Sequence, residues 1–438
     1  MQNNPQSVKE DAPAATDITR ANVGRYRWVI CALLFFAATI NYMDRQIIGL
    51  LKPILAKEFN WTETDYANVV FSFQLAYAIG LLLVGGIIDR IGVKRGFSLA
   101  VILWSIAAAA HGFARSVFGF CAARFGLGLA EAGNFPASIK SVGEWFPKKE
   151  RALATGLFNS GTNVGALVTP LLVPWLANNW GWPTAFYVTG AVGTIWVLLW
   201  SWLYHEPDRH PHVSAQELAY IRSDPPDPPQ QYPWAKLFGH RQTWAFSLAK
   251  LLTDPFWWFY LFWIPPFLND QFGVKVDPKE MGLPVLTIYM MASVGSIGGG
   301  WISSRLIKQG WSVNAGRKTA MLVCAIAVVP IIFASKVANM WTAVLLIGLA
   351  AAAHQGFSAN LFTLVSDTVP RKAVSSVVGI GGMAGAMGGM FIAKIVGYVL
   401  DATGKNYLVP FLMAGFAYLV ALAVVHLVLP KLQPMKIE

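Results

Sequence analysis

The sequence predicts an all-α membrane protein of twelve transmembrane helices in two pseudo-symmetric six-helix bundles, and three observations carry that prediction. The 438 residues are 55% hydrophobic and only 13% charged, where a soluble domain is about a quarter charged. Mean hydropathy is +0.47, and the apolar residues fall in runs near the roughly 20 residues that a bilayer-spanning helix needs. The two halves of the chain also repeat each other's punctuation.

Taken in order, the apolar segments lie at 27–51, 66–88, 96–113, 117–142, 152–177, 183–204, 243–268, 283–307, 318–335, 340–366, 374–399 and 408–429. A transmembrane barrel is excluded, because runs such as Gly80 to Ile88 and Ala343 to Ala353 do not alternate. An even number of spans places both termini on one side. Basic residues gather at Arg20, Arg25 and Arg27, at Arg90, Lys94 and Arg95, at Lys148, Lys149 and Arg151, at Arg317 and Lys318, and at Arg371 and Lys372. By the positive-inside rule these connectors and both termini are cytoplasmic, and the expected location is the inner (plasma) membrane. The net charge of +11 is spread over these short connectors, so no nucleic-acid partner is expected. Residues 1–22 lack the basic n-region and short apolar core of a cleaved signal.

Five regions follow: a cytoplasmic tail (1–22), an N-terminal bundle (23–204), a cytoplasmic linker (205–241), a C-terminal bundle (242–430) and a short tail (431–438). The linker is polar, contains the proline pairs of Asp224 to Pro229, and has a short amphipathic helix expected near Ser214 to Arg222. The repeat is specific: the Gly85-xxx-Asp89-Arg90 pattern returns as Gly300-xxx-Ser304-Arg305, and Phe146-Pro-Lys-Lys149 returns as Val369-Pro-Arg-Lys372. A duplicated six-helix unit suits alternating access by rocking one half against the other.

Four charges inside the spans require an explanation: Asp44, Arg45, Arg124 and Glu131. Each costs at least about 2.5–3.5 kcal/mol at mid-membrane depth unless paired or functional. Arg124 and Glu131 are about two turns apart, too far for a direct pair on one helix, so each must look to another helix, and Asp44 and Arg45 supply the complementary charges. The pattern reads as a carrier of an anion together with protons. Further polar residues recur at helical spacing: Gln74 and Tyr77; Asn159, Thr162 and Asn163; Lys250, Asp254, Trp257 and Trp258; His354, Gln355, Ser358 and Asn360. Such groups can hydrogen-bond and stack on a hydroxylated substrate, although singly they more often join helices. Lys250 and Asp254 most simply neutralise each other, and Lys394 snorkels. Cys31, Cys121 and Cys324 read as packing residues. No nucleotide-binding or hydrolase motif is present, so the energy source is an ion gradient, and no enzyme activity, cofactor or metal is expected.

The connector Gly85-Gly-Ile-Ile-Asp89-Arg90-Ile-Gly92-Val-Lys94-Arg95 resembles the signature loop of the major facilitator superfamily. Asn41-Tyr-Met-Asp-Arg45, Ala123 to Pro136, Glu144 to Arg151 and Ala353-His-Gln355 resemble its anion:cation symporter branch, and the chain is most similar to bacterial hexuronate and sugar-acid transporters. The resemblance runs from Arg25 to about Leu429. It implies that Arg45 grips the substrate carboxylate with Tyr42 and Tyr77 nearby, that Asp44 and Glu131 carry protons, and that Arg124 couples to them. Substrate contacts are expected from Tyr42, Arg45, Tyr77, Asn159, Thr162, Asn163, Trp258, Gln355, Ser358 and Asn360. A gating role is expected for Gly85, Asp89, Arg90, Gly92 and Arg95. The galactonate-type glutamine of the fifth span is replaced by the hexuronate-like Phe158 to Asn163 string, while some hexuronate members lack the acid that stands here as Asp44. The expected activity is proton-coupled import of a hexuronate by a monomer, with an aldonate or another organic carboxylate as the alternative substrate.

Overall fold

The architecture is that of a computed structural model describing residues 24–223 and 234–435. It is built from helices, with no strand among the described residues. In the first half run α1 (Tyr26–Phe59), α2 (Glu63–Ile91), α3 (Val93–His111), α4 (Val117–Glu131), α5 (Asn134–Trp145), α6 (Lys148–Trp180) and α7 (Pro183–Leu203). The connecting stretch holds two short helices, α8 (Ala215–Ile221) and α9 (Trp234–Leu237). The second half comprises α10 (Arg241–Phe272), α11 (Leu283–Lys308), α12 (Val313–Val328), α13 (Met340–Thr368), α14 (Arg371–Ala402) and α15 (Leu408–Val428).

Local chemistry sets the helix ends. Thr62 and Asp65 form a reciprocal capping box at the start of α2, and Ser116, Ser312 and Asn339 cap α4, α12 and α13 through their side chains. Gly92 turns α2 into α3 at φ +82°, a conformation costly for any residue with a Cβ. The fourth span is not one helix, as its apolar run suggests, but α4 and α5 separated at Ala132-Gly133. Pro136 is the reason: it lacks an N–H for the carbonyl four residues earlier and its ring crowds that turn. Glu131 therefore sits at the very end of a half-helix. The amphipathic helix expected in the linker is α8, capped by Ser214, whereas the proline-rich Asp224 to Pro229 lies outside the described residues.

Among the described residues, nine helices are long and apolar enough to cross a bilayer. The other three expected spans are the broken α4–α5 pair, α6 with its Asn, Ser and Thr residues, and α10 with its tryptophans and prolines. Outward-facing positions along the bundle are apolar: Phe118 of α4, Leu198 of α7, Ile297 of α11 and Leu427 of α15 are all largely exposed, which suits lipid and not water.

The two halves pack alike. In the first, α1 lies on α6, α2 on α4, and α3 on α7; in the second, α10 lies on α14, α11 on α13, and α12 on α15. These are the same pairings repeated, as a duplicated unit requires. Between halves, α2 meets α14, α6 meets α11, and α1 meets α10, again related by the pseudo-two-fold. Small residues permit the closest approaches: Gly165 of α6 stands against the Thr39 carbonyl and Tyr42 of α1, and Gly299 against Gly356 at the α11–α13 seam.

Candidate functional site

The centre of the molecule is organised around Arg45 on α1. Its Nε donates to Glu131 Oε2 at 2.7 Å, and both side chains are buried. Its guanidinium carbon lies 4.6 Å from the Tyr77 ring centre, 5.4 Å from Tyr42, 5.6 Å from Phe73 and 5.7 Å from Trp258. Four aromatic faces thus surround one cation that has one carboxylate partner. Such faces attract the cation while excluding water, which strengthens the ion pair they enclose.

Asp44, adjacent on the helix, points elsewhere. Its carboxylate oxygens are buried with no hydrogen-bond partner among the described residues. Arg124 is fully buried on α4, bonds to the main-chain carbonyl of Asp44 at 3.5 Å, and packs over Phe73 and Phe262 at 4.5 and 5.5 Å. Both arginines therefore border the Phe73 ring. The complementary charges that the sequence requires are present, with Arg45 joined to Glu131 and Arg124 reaching the backbone of Asp44 and not its carboxylate.

Across from α1, the indole of Trp257 donates to the Tyr42 hydroxyl at 3.4 Å and stacks on His354 with ring centres 5.1 Å apart. Trp258, Tyr77 and Tyr42 are thus gathered with Arg45. The remaining expected contacts are placed differently. Asn159 and Asn163 are exposed on α6, and the Thr162 hydroxyl is bonded to the Asn159 carbonyl of its own helix. Gln355 and Ser358 are half-buried on α13. Asn360 is fully buried, and its amide donates to the Gly299 and Gly356 carbonyls at 2.9 Å each, so its side chain ties α13 to α11. In the gating loop, Arg90 and Arg95 are exposed, while the side chains of Gly85 and Asp89 lie outside the described residues.

Charges missing from the sequence-based expectation join the halves at the end away from the chain termini. Lys52 of α1 is buried and contacts Glu63 of α2 at 2.6 Å and Asp270 of α10 at 3.8 Å. Lys405 completes the ring, 2.6 Å from Asp270 and 3.5 Å from Glu63. Burial is the largest single influence and works against the Lys405 charge, but the hydrogen bonds and negative charges of Asp270 and Glu63 together outweigh it and raise its pKa above the usual lysine value. Asp401 at the end of α14 accepts from the Glu63 and Thr64 amides at 2.9 and 2.7 Å, capping α2 across the interface. Tyr66 donates to the Phe262 carbonyl at 2.6 Å, and Lys394 binds Asn68. Gln46, next to Arg45 on α1, and Gln74, next to Phe73 on α2, are buried with amides unpartnered among the described residues.

Residues 34–329 match the Major Facilitator Superfamily. The chain is 30% identical to the hexuronate transporter of Escherichia coli strain K12, over 86% of this chain and 88% of that protein. It is 29% identical to the D-galactonate transporter of Escherichia coli O6:H1, over 88% and 92% of the two chains. It is 27% identical to a probable galactarate/D-glucarate transporter of Escherichia coli strain K12, over 90% of each. Among solved structures, a bacterial homolog of the human lysosomal transporter Spinster, in its inward-facing and unoccupied conformation, superposes with a TM-score of 0.71 at 19% identity, covering 92% of this chain and 97% of that one. Helical architecture, repeated packing and sequence agree: the chain is a transporter and not an enzyme, and it belongs to the Major Facilitator Superfamily, in the group that contains the sugar-acid transporters.

Proposed function

We propose that the protein imports a sugar acid, in the first instance a hexuronate such as galacturonate or glucuronate, together with protons, by alternating access. The observation that carries this reading is the Arg45–Glu131 ion pair inside its aromatic enclosure. A substrate carboxylate and Glu131 compete for the same guanidinium. Protonating Glu131 frees the planar fork of Arg45 for the incoming anion, and a bidentate carboxylate bond in a dry site is strong. Release of the proton restores the internal pair and expels the substrate.

Asp44 is suited to a second proton carrier, since a buried carboxylate without a partner is costly as an anion. Arg124, pressed between Phe73 and Phe262, holds positive charge beside both acids and couples them. Tyr42, Tyr77 and Trp258 would offer ring faces to the C–H surface of the sugar and two phenol hydroxyls to its polar groups. Gln355 and Ser358 on α13, with Asn159, Thr162 and Asn163 on α6, would supply hydrogen bonds as the halves move.

Residues 23–204 and 242–430 form the rocking units, joined by the 205–241 linker, in a monomer of the inner membrane. The basic connectors favour cytoplasmic termini; with that orientation the Lys52–Glu63–Asp270–Lys405 ring would close the outer side, in a conformation that faces inward. The curated relatives named for hexuronate, galactonate and galactarate/glucarate transport support this substrate class. The test is uptake of radiolabelled galacturonate into proteoliposomes under an imposed pH gradient, acid outside. Accumulation that collapses with a protonophore is expected. Uptake that only equilibrates, regardless of the gradient, contradicts proton coupling.

A further inference from the structure

The Lys250–Asp254 pair is a buried charge pair that this mechanism does not use. Lys250 Nζ lies 2.6 Å from Asp254 Oδ2, with side chains 10% and 16% exposed. Helix stability does not explain it: the favourable order places the acid before the base at i,i+4, and here it is reversed. Desolvating two charges costs several kcal/mol per ion, which an apolar pair of the same size would avoid.

Its placement suggests another use. Lys250, Asp254, Trp257 and Leu261 fall at i, i+4, i+7 and i+11, one stripe along α10. Leu261 packs its backbone on Gly49 of α1, and Trp257 bonds to Tyr42 of α1. Trp257 and Leu261 therefore face α1 and the centre of the molecule, and the stripe continues toward the terminal end through Asp254, which lies against Gly385 of α14, to Lys250. The Lys250 ammonium also stands 4.8 Å from the Phe362 ring centre, so it repeats in the second half the arrangement of Arg45 in the first: a cation with one acid partner beside an aromatic face. The Asp254 carboxylate lies in the space that a Cβ at Gly385 would need. The Lys250 ammonium has three donors, so it can take a second carboxylate without giving up Asp254.

The geometry points to Lys250 as a second carboxylate subsite, so that among the sugar acids the proposed function allows, one carrying a carboxylate at each end, held between Arg45 and Lys250, is favoured over the hexuronate named first. This rests on Arg45 being the first carboxylate site. Arg45 stands at the level of Trp258, and eight residues of helix from there to Lys250 rise about 12 Å. A six-carbon chain holds its carboxyl carbons roughly 6–7 Å apart, and a charge-assisted contact of about 3 Å at each end extends the reach between two cations to about 12–13 Å.

Galactarate and galacturonate share one carbon skeleton and differ in whether the far end is a carboxylate. Their affinities for the purified full chain, by isothermal titration calorimetry, give a ratio that isolates the second site. The wild type is expected to prefer galactarate by roughly tenfold. The double variant Lys250→Met/Asp254→Asn leaves no buried charge unpaired, and in it the ratio should fall to about one; Lys250→Arg should keep the preference. A wild-type ratio in the double variant, even with both affinities lowered, would show that the pair only neutralises itself. A wild type that binds galacturonate without preferring galactarate overturns the subsite and leaves the Arg45 site standing. Binding of neither compound overturns both.

Discussion

Arg45 and Glu131 face each other at 2.7 Å from two different helices, both buried. In the proposed mechanism the guanidinium that would recognise an external carboxylate already holds an internal one, so binding and proton movement would be properties of one pair.

Arg45→Lys should lower substrate affinity at least about tenfold while the protein still folds. A lysine keeps the charge but loses the planar fork and the stacking on Tyr77 and Trp258. Calorimetric titration together with size-exclusion behaviour checks it. Affinity near the wild type would remove Arg45 from the site.

Asn360→Ala should act on stability and not on selectivity. The buried amide ties α13 to two carbonyls at the Gly299–Gly356 seam, and orphaning buried carbonyls costs about 1–3 kcal/mol. The melting temperature in detergent should fall while the ranking of sugar acids stays the same. A changed ranking with unchanged melting would return Asn360 to the substrate site.

Asp270→Asn should loosen the end away from the termini. Asp270 is the carboxylate shared by Lys52, Lys405 and the Tyr407 hydroxyl, and removing one partner of a buried pair costs about 3–5 kcal/mol. Spin labels at positions 65 and 399, on α2 and α14, should show a larger population at long distance by double electron–electron resonance. An unchanged distribution would mean that the ring does not hold the halves together.

Gly92→Ala should slow transport and leave substrate affinity within about twofold. The position has φ +82° and ψ 160°, a region essentially reserved for glycine, with open space around a Cβ, so the penalty is backbone strain of roughly 1–3 kcal/mol at the α2–α3 turn. Transport rate and binding measured on one preparation separate the two effects. A parallel loss of affinity would tie the loop to the site itself.

Much of this was legible in the sequence because charge is conspicuous in an apolar run. Arg45, Arg124 and Glu131 required partners on other helices, and Arg45 and Glu131 found each other. Tyr77 and Trp258 declared themselves by spacing and aromatic chemistry. The Lys52–Glu63–Asp270–Lys405 ring did not, since each residue stands at a span end, where a charge ordinarily meets interfacial water. Only the three-dimensional meeting of α1, α2, α10 and the α14–α15 connector makes them partners, with Lys52, Glu63 and Asp270 shielded and Lys405 at the rim. Asn360 looked like a ligand because sequence spacing cannot distinguish a cavity face from a seam where two glycines let helices touch. The break after Glu131 was written in Pro136 but hidden inside a continuous apolar run.

The most direct measurement concerns Glu131→Gln in proteoliposomes, with counterflow and gradient-driven accumulation followed side by side. Glutamine imitates the protonated acid permanently, so Arg45 stays available to the substrate and no proton is carried by this position. The variant should exchange labelled for unlabelled sugar acid across the membrane yet fail to accumulate it under an imposed pH gradient. Accumulation at the wild-type level would contradict the account, because Glu131 could then not be the obligatory link between proton and anion.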